Sequence, residues 1–356
     1  MPVANTATSP SLSDFVRLAA THTLLPVTRS VPADLETPVS AFLRVAAHEP
    51  DAFLLESVEG GESVGRYTFI GIRPYRTLSA RNGQVTDAPS GAAPRTYAGD
   101  IFIELKRALD GHTPARLPGL PPFTAGAVGF FSYDVVRQIE TLPTLAADEL
   151  HVPDAFFMFF DEVLAFDHVR KAIHLIVTTG TRTPLDPSAT ELAYMDANVR
   201  LDRLESLLEA ALPKPPRPHI PEPLAIASRT APADFLAAVD TVKEYIRAGD
   251  VFQCVLSQRF DCTPAVDAFE VYRSLRIVNP SPYMYFLRFA LPSASAEQGT
   301  ALPPSPNPAT PPSEAPPSAT PLSAPPLSAT PLSATPLSAT PPSATPLSAA
   351  PPSGLA

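Results

Sequence analysis

Reactive side chains in this 356-residue sequence fall into small groups, and their spacing decides what each can do. Asp161-Glu162 and the pair Asp240/Glu244 set carboxylates close together, the arrangement that general acid–base chemistry uses. The first flanks an apolar run and the second stands at i, i+4 on a helical stretch, so both are expected to be solvated. Gly60, Gly61, Gly65 and Gly71 fit neither the dinucleotide nor the P-loop spacing and alternate with strand residues, so they read as turn glycines. Cys254 and Cys262 have no His or Cys at ligand spacing, and none of the seven His pairs with another at i+3 or i+4. No zinc site is indicated, and both thiols are expected to be reduced and partly buried.

The elements that must hold these groups can be read from local signals. Thr37-Pro38 ahead of Val39, Phe42, Leu43 and Ala46 reads as an N-cap, a first-turn proline and an amphipathic helix. Ala52–Val58 and Tyr67–Ile72 are extended runs, and Asn82-Gly83 closes Arg76–Ala80 on a following strand. Asp100 caps a helix through Leu109, with Gly111 past its end. Ala125–Ser132 reads as a buried strand, and Ala155–Phe166 and Ala172–Thr178 as two apolar strands. Leu192–Leu212 has helical spacing. Further on, Pro232–Ala248 is expected to be a helix capped by Thr230, Val251–Phe260 a strand, Asp267–Val278 a helix and Tyr283–Phe289 a strand of internal type left with an open edge for want of its later partners. Strands and long helices in separate blocks argue for α+β.

Composition bounds the partners. The formal net charge is −10 with a pI near 5.2 and no basic run, a poor basis for nucleic-acid binding. The longest apolar stretches are too short to cross a membrane, and Met1–Pro10 has no signal-peptide pattern. A cytoplasmic protein is expected. Pro makes up 19 of the 66 residues from Leu291 onward against 27 of the 290 before, which separates a tail from the folding part.

Three motifs, in order, carry a family resemblance. They are Leu54-Leu55-Glu56-Ser57 followed by Gly65-Arg66-Tyr67-Thr68-Phe69-Ile70-Gly71, then Gly249–Phe260, then Asn279-Pro280-Ser281-Pro282-Tyr283-Met284-Tyr285-Phe286-Leu287. Together they resemble component I of anthranilate synthase, a chorismate-binding enzyme, over about Leu18 to Phe289. The resemblance implies an α+β fold with a β-sandwich and flanking helices. The domains expected are a flexible N-terminus at 1–17, the component I N-terminal domain at 18–212, a Pro-rich linker at 213–224, and the start of the chorismate-binding domain at 225–290. The folate-branch relative, aminodeoxychorismate synthase component I, is the alternative. Val255-Leu256-Ser257, Pro282-Tyr283-Met284 and Leu54–Ser57 favour the anthranilate branch.

The resemblance also implies a site. Family members carry an allosteric pocket for L-tryptophan, and the matching positions here are Glu56, Ser57, Arg66, Pro282, Tyr283 and Met284. Glu56 can accept from the ligand ammonium, Ser57 and Arg66 can donate to its carboxylate, and Pro282, Tyr283 and Met284 can wall the indole. Chorismate is the implied substrate, a glutamine amidotransferase subunit the implied ammonia source, and Mg²⁺ held by two glutamates the implied cofactor. The family's metal glutamates and chorismate-holding residues have no counterparts in this sequence, so no catalytic residue is assigned. Activity of the chain itself is therefore in doubt, and a non-catalytic tryptophan-binding fragment is a further alternative. The repeat Pro-Leu-Ser-Ala-Thr from Pro321 is expected to leave 291–356 disordered and reads as a repeat expansion or frameshift that truncates the family's second half.

Overall fold

The computed structural model describes residues 7–57, 65–144, 148–180, 186–213, 224–264 and 266–290. The tail expected at 291–356 and residues 214–223 of the linker lie outside the described residues. Helix α1, Leu12–Ala19, starts at Ser11, whose hydroxyl accepts from the Asp14 N–H. Part of the stretch expected to be a flexible N-terminus therefore belongs to the fold. The reason is Phe15, fully buried with its ring centroid 5.1 Å from that of Tyr194. After β1, Leu24–Pro32, helix α2, Pro38–Val45, opens on a capping box between Thr37 and Ser40 with proline in its first turn, as its sequence predicts.

Strands β2, Ala52–Glu56, and β3, Tyr67–Ile72, follow. Next, β4, Arg76–Arg81, and β5, Gln84–Pro89, form a tight hairpin. Asn82 and Gly83 join them at φ 50° and 73°, the left-handed pair that a two-residue turn requires. Beyond β6, Arg95–Ala98, helix α3, Ile101–Leu109, is capped by Asp100, whose carboxylate accepts from two backbone N–H groups. Strand β7 is Gly126–Phe131, β8 Ala155–Phe160, β9 Glu162–Asp167 and β10 Ala172–Gly180, and helix α4 runs Pro187–Glu209.

The expected single strand Ala155–Phe166 is thus two. The chain turns at Asp161, sending β8 into one sheet and β9 into the other. Both strands are buried along their whole length, so one continuous apolar run serves two sheets.

In the last part, β11, Ala227–Ser228, pairs with β12, Phe260–Asp261, around helix α5, Pro232–Ala248. Helix α6, Ala268–Val278, is capped by Asp267 and leads to β13, Met284–Arg288. Two expectations need correction here. Ala231, not Thr230, stands at the start of α5, and no side chain caps it. Val251–Arg259 forms no strand; pairing is confined to Phe260–Asp261, with one further backbone bond from Arg229 N–H to the Arg259 carbonyl. Among the described residues β13 stands at the edge of its sheet, the open edge that the sequence predicts.

The architecture is α+β with two large antiparallel sheets, ordered β1-β10-β9-β3-β2-β13 and β6-β5-β4-β8-β7, beside the two-stranded β11–β12 pair. Phe53, Val128, Phe156, Met158, Phe160 and Val163 fill the space between them. A fully buried Phe there contributes about 1.5–3 kcal/mol. The outer face of the six-stranded sheet carries a second core with α1, α2, α4 and α6, and α3 covers the outer face of the five-stranded sheet.

Gly129 on β7 shows how close the strands approach. A Cβ there would meet the backbone oxygen of Phe156 at 1.9 Å. Gly129→Ala should therefore lower unfolding free energy in urea by about 2–3 kcal/mol, because the obstacle is backbone and cannot rotate away. An unchanged midpoint would contradict this close approach.

Candidate functional site

Antiparallel pairing of β2 with β13 places Glu56 opposite Met284. Ser57 and Tyr283 are the next residues outward on the two strands. Two of the sequence motifs therefore meet at one end of the six-stranded sheet, with Glu56 and Met284 buried on its helical face and Pro282 and Tyr283 exposed.

The Glu56 carboxylate is not left to solvent. Tyr272 on α6 donates its hydroxyl to Oε1 at 2.6 Å, and Arg276, one helical turn on, donates Nε to the same oxygen at 2.7 Å. Burial and the hydrogen bond to Glu56 push the Tyr272 phenol far above its ordinary pKa, so it stays a donor. Sequence reasoning missed both partners. Their role comes from a partner 216 and 220 residues away in the chain, which no local pattern of α6 discloses.

Arg66 sits at the start of β3 with its guanidinium committed to Asp167, Nη2 to Oδ2 at 2.8 Å, and stacked 4.8 Å from the Tyr67 ring centroid. The Asp167 side chain is fully buried. Burial alone would raise its pKa, but hydrogen bonds from Arg66 and from the N–H groups of Arg170 and Val169 outweigh it and hold the carboxyl below the usual range. Burial depresses the neighbouring His168, whose Nε2 lies 2.9 Å from the Thr68 hydroxyl. A cavity of about 290 Å³ opens between these groups, lined by Asp167, His168, Lys171 and Arg276 and by Glu36, Thr37 and Pro38 at the start of α2. The structure thus draws Glu56, Ser57, Tyr283 and Met284 together, and reaches Arg66 through Asp167 beside this cavity.

The carboxylates that opened the sequence reading behave differently from each other. Asp240 and Glu244 are exposed, in local pairs with Lys243 and Arg247. Asp161-Glu162 is not solvated as expected. Arg200 binds both, Nη2 to Asp161 and Nε to Glu162 at 2.7 Å each, and Arg203 adds a second bond to Glu162. Burial pushes the Asp161 carboxyl upward against the attraction of Arg200. They line a separate cavity of about 440 Å³ with Glu49, Asp51 and Arg73. Cys254 and Cys262 are exposed, not partly buried, since residues 251–259 lack a covering element.

Among the described residues no three His, Cys, Asp or Glu side chains converge to hold a metal ion. The pair Asp161-Glu162 is already bound by Arg200 and Arg203, so the described residues do not fit the Mg²⁺ that the resemblance implies. No helix among the described residues is long and apolar enough to cross a membrane.

Residues 50–298 match the model of the chorismate binding enzyme family. The chain belongs to that family. Anthranilate synthase component 1 from Mycobacterium tuberculosis is 42% identical over 293 residues, covering 80% of this chain and 56% of that protein. The Acetivibrio thermocellus protein of the same name is 36% identical over 286 residues, covering 79% and 57%. The crystal structure of anthranilate synthase component I from Streptococcus pneumoniae superposes with a TM-score of 0.53 at 26% identity, over 72% of this chain and 54% of that one. This member of the chorismate binding enzyme family spans about half the length of the curated relatives it matches.

Two consequences can be measured. Arg276→Gln should cost about 3 kcal/mol in thermal or urea unfolding, because it strips a charged partner from a buried carboxylate while Arg276 itself is a third exposed. Tyr272→Phe should cost about 1–2 kcal/mol. Equal stability of both variants with the parent would mean that Glu56 is not held as described.

Asp167 carries a pH signature. Its folded pKa lies below the usual carboxylate range, so its contribution is present above the ordinary Asp pKa and is lost as pH falls through the depressed folded pKa. Arg66→Gln removes one of the bonds that depress it, so acid unfolding should begin at higher pH in the variant. A titration that moves the midpoint the other way would contradict the assignment.

Proposed function

We propose that this chain carries the tryptophan-sensing part of an anthranilate synthase large subunit and serves the conversion of chorismate and ammonia to anthranilate and pyruvate. A cytoplasmic setting and a glutamine amidotransferase subunit as ammonia source belong to the same reading. The observation that carries it is the register of β2 against β13. It sets Glu56 opposite Met284 and brings the Leu54–Ser57 and Pro282–Met284 motifs to one place.

A free amino acid needs an acceptor for its ammonium, donors for its carboxylate and an apolar slot for its ring. Tyr272 and Arg276 both bond Oε1 of Glu56, and we assign the ammonium to Oε2. Ser57 is the neutral donor on the same strand end, and Tyr283 offers an exposed aromatic face. Arg66 acts from the far side of Asp167, and its charge is shared with that carboxylate. The folate-branch alternative has less support, because the relatives matched over this length are named anthranilate synthase component 1.

Calorimetric titration with L-tryptophan tests the site. Binding is expected, with Ser57→Ala weakening it about five- to tenfold by removing one hydrogen bond. Tyr283→Ala should weaken it as well without loss of fold, since Tyr283 is exposed. No binding, or binding indifferent to both substitutions, would refute the assignment.

A further inference from the structure

The cavity beside Asp167 combines apolar and charged walls. Ala33, Pro38 and Phe166 supply the apolar part, and Pro38 and Phe166 are buried. The His168 ring stacks on Phe166 with centroids 6.2 Å apart and 25° between the planes, which adds an aromatic face. At about 290 Å³ the cavity lies at the lower end of the range, roughly 300–1,000 Å³, that small-molecule sites occupy. Its charges are balanced with one exception. Glu36 is paired with Arg44, Asp167 with Arg66 and more loosely with Arg170, and Arg276 with Glu56. Lys171 also lines the cavity and has no ion-pair partner among the described residues. The turn that carries it is fixed. Asp167 accepts from the N–H groups of Val169 and Arg170, and Ala33 donates its N–H to the Lys171 carbonyl at 3.0 Å. Arg276 gives only Nε to Glu56, and its two Nη groups make no hydrogen bond among the described residues. Burial and the nearby Lys171 charge lower the His168 pKa, so that ring stays uncharged at neutral pH and leaves the balance unaltered.

We propose that this cavity binds a small monoanionic carboxylate that carries a ring. Lys171 and the Nη groups of Arg276 are the donors for the carboxylate, and Phe166, Pro38 and His168 face the ring. One negative charge matches Lys171. A cation would be repelled by it, and a dianion would bring a second charge with nothing to offset it. Phosphate and sulfate are poorer occupants, because they have no apolar part to set against Phe166 and Pro38 and would lose water there without replacement. None of Ser57, Pro282, Tyr283 and Met284 lines this cavity. It is therefore distinct from the site assigned to tryptophan, a zwitterion, and a failed tryptophan titration leaves it standing. Anthranilate, the product in the reading above, belongs to the ligand class, but the assignment follows from the charge and lining of the cavity alone.

Calorimetric titration of the full chain with sodium benzoate tests this. Saturable one-to-one binding is expected, with acetate and inorganic phosphate, which have no ring, weaker by about tenfold or more. Excess L-tryptophan should not displace the benzoate. Lys171→Gln should weaken binding about fivefold, the scale of an exposed ion pair, and Lys171→Glu by about tenfold or more, while Lys171→Arg keeps it. Lys171 is exposed, so these variants leave the fold intact. Lys243→Gln, which removes one exposed charge from α5, should have no effect. Lack of saturable benzoate binding, binding indifferent to Lys171→Glu, or acetate or phosphate binding as tightly as benzoate would overturn the proposal. Displacement by tryptophan would overturn it too, by placing benzoate in the other site.

Discussion

A buried carboxylate without partners is among the costliest things a fold can contain, and Glu56 avoids that cost through two side chains from one helix. Taking its charge out of water costs several kcal/mol unless donors replace the solvent. Tyr272 and Arg276 do so, and both must come from α6. The helix is therefore fixed in position and rotation against the six-stranded sheet. Phe269 and Tyr272 then stack at 5.7 Å, and Phe286 of β13 meets both rings and Phe42 of α2. The strand pairing that assembles the candidate site is the downstream result of satisfying one charge.

The second constraint has the same form at the other end of the sandwich. The chain crosses between sheets at Asp161-Glu162, where a purely apolar link would have to leave backbone groups at a corner. Instead two carboxylates face inward and α4 supplies Arg200 and Arg203 to meet them. Helix α4 is thereby held against the corner as well as through its apolar residues Ala197, Leu201, Leu204 and Leu208. Charge pairing fixes the place where the two sheets separate, and packing fills the rest.

What could be read from sequence divides along the range of the interactions involved. The start of α2 was legible because Thr37, Pro38 and Ser40 act within one turn, and the β4–β5 hairpin because Asn82-Gly83 specifies its own backbone angles. The break between β8 and β9 was not, because both halves are apolar and only a sheet-level view separates them. Nor was the burial of Glu162, whose partners lie on α4, about 40 residues onward. Val251–Phe260 has the composition of a strand, yet only Phe260 finds a strand neighbour among the described residues, which strand propensity alone cannot reveal. For the candidate site the register of β2 against β13 brought two of the motifs to one sheet end. Tyr272, Arg276 and Asp167, which hold that group in place, were invisible because their importance comes from partners distant in the chain.

Glu56 and Tyr272 are 216 residues apart, which has a consequence during synthesis. At translation speeds of about 5–20 residues per second, the ribosome needs roughly 10–40 s to deliver the helix after the strand has emerged. Throughout that interval β2 has neither its outer strand nor the donors for its carboxylate. The nascent sheet must remain soluble with one edge open, and chaperones that bind exposed strands have their longest opportunity there. The order in which the chain is made thus sets how long β2 waits for its partners.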